Sequence, residues 1–119
     1  MAYRVLRSAD TDRDLEAIFD FLFDAALALG ESPETALERA AARLLAIEAA
    51  MAGLGRAPHQ GTLRPEIAPG LRHVTKDRAV FYFDVDDAAE LVRVLAVFFG
   101  GQDHRRRMLL RLLSRDGGT

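Results

Sequence analysis

Three short β-prone runs follow one another in the second half of this chain, at residues 71–75, 78–84 and 90–98. Asp77 marks the first turn and Asp86-Asp87-Ala88-Ala89 the second, so the runs make an antiparallel meander. Side chains alternate between the two faces of a strand. Phe81 and Phe83 therefore oppose Val80, Tyr82 and Asp84, while Val92 and Val94 oppose Leu91, Arg93 and Leu95. Both faces of the sheet carry apolar residues, and each needs a cover.

The first half supplies one cover. Tyr3-Arg4-Val5-Leu6-Arg7 reads as an opening strand, and Ser8, Asp10 and Thr11 offer capping oxygens before a helix. Its apolar stripe is Leu15, Ile18, Phe19, Leu22, Ala26 and Leu29, with Gly30 as the stop. Ser32-Pro33 restarts the chain as cap and first-turn proline, and Leu37, Ala40, Leu44, Ile47, Met51 and Leu54 form the second stripe. These make an antiparallel helical hairpin. A long connection with Pro58, Gly61, Pro65, Pro69 and Gly70 follows, read as a surface wrap. A last amphipathic helix spans 102–113, and residues 115–119 are expected to be disordered. The order β-α-α-β-β-β-α describes a single α+β domain over residues 1–119. Either the last helix folds back onto the second sheet face or a partner covers it.

Composition excludes several classes. The chain has no cysteine, so disulfides and thiolate metal sites are ruled out, and a reducing cytoplasm is the expected compartment. No secretory signal is visible, and the most apolar helix is interrupted by Asp20 and Asp24, so no membrane span is expected. His59, His73 and His104 lie on three separate elements, and neither a metal nor a cofactor is expected. The formal net charge of −2 hides an asymmetry. Residues 1–50 hold five Lys/Arg against ten Asp/Glu, whereas residues 101–119 hold five against two. The acidic total argues against direct duplex DNA binding.

Three groups of residues invite a functional reading. Phe21 and Phe23 flank the first helical stripe and are candidate anchors for a protein partner. Arg105, Arg106, Arg107 and Arg111, with Met108 on the apolar stripe, make the last helix suited to an acidic protein surface. Arg72, Arg78, Arg93 and His104 lie on or beside the meander. If they converge, the guanidinium groups hold a phosphodiester while His104 exchanges protons; otherwise they are solvated or paired with acids such as Asp84 and Asp103.

Pro69-Gly70-Leu71-Arg72, Tyr82-Phe83-Asp84 and Val92-Arg93-Val94-Leu95, set behind one strand and two helices, resemble the RelE/ParE family of type II toxin–antitoxin toxins, the ParE branch more than the RelE branch. The resemblance covers about Tyr3 to Leu113. It implies a toxin of the plasmid-stabilisation type, held as a hetero-oligomer by a cognate ParD-like antitoxin that carries the DNA-binding part. It implies inhibition of DNA gyrase by protein–protein contact, with mRNA cleavage at the ribosome as the RelE-type alternative and a non-toxic binding module as a third. The ribonuclease branch relies on a basic cluster and a C-terminal tyrosine or histidine. This chain has one lysine, Lys76, no tyrosine after Tyr82, and His104 alone for that role. ParE-like chains often place a histidine after the Val-Leu of the last strand, whereas Ala96 follows Leu95 here.

Overall fold

The computed structural model describes residues 2–100 and 103–117. The elements are β1 (Arg4–Arg7), α1 (Ala9–Ala28), α2 (Pro33–Ala52), a 3-10 turn (Gly53–Arg56), β2 (Thr62–Leu63), β3 (Arg72–Lys76), β4 (Ala79–Asp86), β5 (Leu91–Phe99) and α3 (His104–Gly117). They build an α+β fold on a five-stranded sheet ordered β1-β5-β4-β3-β2. β1 runs parallel to β5, and the remaining pairs are antiparallel.

Local chemistry sets the helix boundaries. The Ser8 hydroxyl accepts the Thr11 N–H at 3.1 Å, and the fully buried Thr11 hydroxyl donates to the Val94 carbonyl at 3.0 Å, fixing the start of α1 against the sheet. Gly30, at φ +92°, ends that helix, and Ser32 with Pro33 restarts the chain as the sequence leads one to expect. The α2 stripe turns slightly: Ala36 is buried and Leu37 is half exposed.

The helical hairpin packs on one face of the sheet. Leu15, Ile18, Ile47, Met51 and Leu54 bury against Phe81, Phe83, Val92, Val94 and Val97. α3 folds back over the other face, where Met108 and Leu112 meet Leu71, Val80, Tyr82, Ala96 and Phe98. Of the two covers open from sequence, the chain supplies its own. Gly101 and Gln102, where the last helix was expected to begin, lie outside the described residues. The expected disordered stretch from 115 overlaps the last turn of α3, and residues 118–119 also lie outside the description.

Two features of the sheet differ from the sequence expectation. Asp77 and Arg78, at φ 51° and 64°, form a two-residue turn of the mirror-image type that matches strand twist, so β4 starts at Ala79 rather than Arg78. Within the expected surface wrap, Thr62 and Leu63 pair with His73 and Arg72 as an edge strand, which two residues are too few to signal. A bulge in β5 near Leu95 shifts the register between Tyr82 and Phe83.

Candidate functional site

A cluster of ionisable side chains lies on the α3 face of the sheet. His73 of β3 and Tyr82 of β4 are cross-strand partners, and His104 opens α3 directly beside them. The Tyr82 hydroxyl lies 2.8 Å from His104 Nδ1, and the His73 and His104 rings sit 5.3 Å apart, edge to face. Arg64, entering from the loop after β2, donates its Nε–H to His73 Nδ1 at 3.0 Å. That bond requires His73 to keep Nδ1 unprotonated, so its proton sits on Nε2.

Electrostatics favour neutral rings. Burial, then the positive charges of Arg64, His104 and Arg105, holds His73 below the ordinary histidine range. Burial, then Arg105 and Arg64, does the same to His104. Burial pushes the Tyr82 phenol up. Two neutral imidazoles, a phenol and a guanidinium can exchange protons and hold an anion. Arg64 is also 3.8 Å from Glu66.

The sequence-derived constellation does not assemble around His104. Arg72 shares the face of Phe83, its partner across the ladder, which is the hairpin face, and its Nη1 donates to the His59 carbonyl at 2.8 Å. Arg93 lies on the α3 face but is ion-paired across the strands with Asp84 at 2.8 Å. Arg78 belongs to the β3–β4 turn, six positions along from Asp84 and so roughly 20 Å away at the rise of a strand. Its guanidinium lies 5.8 Å from the Phe99 ring. The structure puts Arg64, His73 and Tyr82 with His104 instead. Once the turn is fixed at Asp77-Arg78, strand pairing sets His73 opposite Tyr82, so two of these residues carried a signal; Arg64, on a loop, did not.

The helix residues divide. Arg105 and Arg106 of α3 are exposed, whereas Met108 is 1% exposed in the second core. Arg111 is bonded through both terminal nitrogens to Asp14, at 2.8 and 2.7 Å, and its charge stays with the fold. Arg107 and Arg111 both lie over the Phe98 ring, at 5.0 and 5.2 Å. On α1, Phe21 is 57% exposed and its ring leans on Phe99 at 6.3 Å, while Phe23 is half-buried. Phe21, Phe99, Ile18 and Ala17 line a cleft of about 130 Å³. Among the described residues no three His, Cys, Asp or Glu side chains gather to hold a metal ion, and no helix is long and apolar enough to cross a membrane.

A chain of the chromosomal ParDE TA system from P. aeruginosa is similar in structure, with a TM-score of 0.60 and 22% identity over 84% of this chain and 98% of that one. A chain of the toxin–antitoxin complex RelBE2 from Mycobacterium tuberculosis is similar with a TM-score of 0.54 and 20% identity, over 86% of this chain and 95% of that one. No family model and no curated protein matches the sequence. The architecture is the RelE/ParE toxin fold.

Proposed function

We propose that this chain is the toxin of a type II toxin–antitoxin pair, of the plasmid-stabilisation type, acting in the cytoplasm and restrained there by a ParD-like antitoxin. The fold it shares with chains of two toxin–antitoxin assemblies supports the class. Within that class, inhibition of DNA gyrase through protein contact is the reading we favour. The observation that carries it is the scatter of Arg72, Arg78 and Arg93 over two faces and two ends of the sheet, with Arg93, on the His104 face, already paired to Asp84. A phosphodiester transition state needs its donors gathered on one spot. The exposed guanidinium groups of Arg105 and Arg106 offer a docking charge in their place.

Regulated expression tests this directly. Growth arrest with loss of supercoiling activity and intact mRNA supports the reading; cleavage of ribosome-bound mRNA with supercoiling untouched overturns it. A healthy culture at full expression points to a non-toxic binding module. One specific observation favours the ribonuclease alternative, namely the His104, Tyr82, His73 and Arg64 cluster. In that case His104→Ala alone abolishes arrest.

A further inference from the structure

At the end of the sheet marked by the β3–β4 turn, Lys76, Ala79 and Phe99 stand in one row across β3, β4 and β5. Cross-strand partners share a face, and Ala79 belongs to the core under the helical hairpin, so all three turn to the hairpin side.

Cations gather on Phe99. Arg43 reaches it from α2, its guanidinium carbon 5.7 Å from the ring centroid, and Arg78 reaches it from the turn at 5.8 Å. Arg43 is steadied by a bond from Nη2 to the Asp77 carbonyl at 3.1 Å, and the Arg78 carbonyl accepts the Gly100 N–H at 3.2 Å. Among the described residues neither of these arginines nor Lys76 makes an ion pair. By contrast Arg7, Arg39, Arg93 and Arg111 each sit on a carboxylate. Like charges drawn to one ring repel each other, yet a chain of formal net charge −2 spends none of its acids here. Contact with a ring engages the guanidinium charge and leaves N–H donors for an anion.

The same ring walls the cleft of about 130 Å³ beside α1, together with Ala17, Ile18 and Phe21. Phe21 is exposed and tilted at 58° to Phe99. The space suits one flat ring system and is too small for a larger body. Asp14, also in its wall, has its charge met by Arg111.

We infer that this end of the sheet binds a nucleoside diphosphate, with the base between Phe21 and Phe99 and the phosphates on Arg43, Lys76 and Arg78. A flat ring joined to several negative charges on neighbouring atoms matches both halves of the site. An acidic peptide spreads single charges over separate residues and matches it less well. The acidic total that argues against a duplex does not oppose one nucleotide, whose contacts stay within the cluster. The site lies across the sheet from His73, Tyr82 and His104, and stands whichever target the chain acts on.

The test titrates the full-length chain with ADP, pyrophosphate and adenosine at constant ionic strength, by calorimetry and by amide shifts of the ¹⁵N-labelled protein. ADP is expected to bind at least about tenfold tighter than either fragment, with shifts centred on Asp77, Arg78 and Phe99. Lys76→Gln combined with Arg78→Gln weakens ADP and pyrophosphate about tenfold or more at an unchanged melting temperature. Phe21→Ala weakens ADP about fivefold and leaves pyrophosphate binding as it was. The inference is overturned by no binding, by pyrophosphate or adenosine matching ADP, or by shifts centred on His73 and His104. It is equally overturned if the variants bind ADP as the parent does, or if an acetylated glutamate–phenylalanine–glutamate peptide binds tighter than ADP.

Discussion

Asp14 on α1 accepts both terminal nitrogens of Arg111 on α3, at 2.7 and 2.8 Å, and the same carboxylate takes the Val97 N–H of β5 at 3.0 Å. One side chain therefore ties a helix from each face to the strand between them. The pair is largely withdrawn from water, with side-chain exposures of 12% and 24%. Breaking one partner of such a pair strands the other charge. Asp14→Ala is expected to cost about 3 kcal/mol and Arg111→Ala about 2, the difference reflecting the extra backbone donor on Asp14. The double variant should fall well short of the sum, and urea unfolding of the three proteins measures this.

Stability should depend on the protonation of His73 and His104. Both are held below the ordinary histidine value, so the unfolded chain binds protons that the folded chain refuses. Stability is then at its full value above about pH 6.5, falls as pH drops through that region, and levels off below the folded-state values. Chemical unfolding at pH 5 and pH 7.5 should show the drop. Replacing both residues by glutamine should flatten it between those two values.

A steric contrast separates two glycines. A Cβ at Gly55 would stand 2.2 Å from the Tyr3 carbonyl oxygen, which backbone geometry cannot easily relieve, whereas one at Gly30 meets nothing but carries a φ of +92°. Gly30→Ala should cost about 1 kcal/mol, the usual penalty for a left-handed alanine. Gly55→Ala should cost at least about 2 and shift the Tyr3 amide, because it forces the entry to β1 away from the 3-10 turn. Thermal unfolding ranks the two.

Phe21 should matter more for association than for folding. Over half its surface is exposed and its contact with Phe99 is an edge one. Phe21→Ala is expected to lower stability by less than about 1 kcal/mol while weakening the proposed antitoxin complex by about 2 kcal/mol or more. Calorimetric titration beside a melting curve separates the two effects. Equal losses in both would make Phe21 a packing residue.

Toxicity, if it resides on α3, should follow Arg105 and Arg106. Deleting everything after Gln102 is a poor test, since Met108 and Leu112 leave with it and uncover Val80, Tyr82 and Phe98. Charge reversal at Arg106 alone leaves that core whole and spares Arg105, whose charge acts on His73 and His104. Under the gyrase reading, Arg106→Glu should cut growth arrest strongly at unchanged protein level; under the ribonuclease reading arrest should persist.

How legible this molecule is from sequence depends on range. Helix caps at Ser8 and Ser32, the stop at Gly30 and the alternation along β4 are local, and each can be read from a handful of neighbours. The meander follows from its turns. The placement of Arg72 was the costly ambiguity: strand periodicity sends Arg72 and His73 to opposite faces, but nothing local says which face α3 covers. His104 was visible as the lone C-terminal histidine. Arg64, which bonds His73 in the same cluster, sits in a loop held by the short pairing of β2 with β3, a contact without periodicity or propensity behind it.

The parallel pairing of β1 with β5 has a consequence in time. Ser8 reaches Leu95 across 87 residues of sequence, so the first strand made waits for the last before it has a neighbour. At ordinary rates of synthesis that wait is roughly 4 to 17 seconds, and contacts of such separation are slow to close. During translation the helical hairpin emerges complete while its sheet does not yet exist. A ligand that recognises only the hairpin can engage the nascent chain, whereas one that reads the finished sheet must wait for β5.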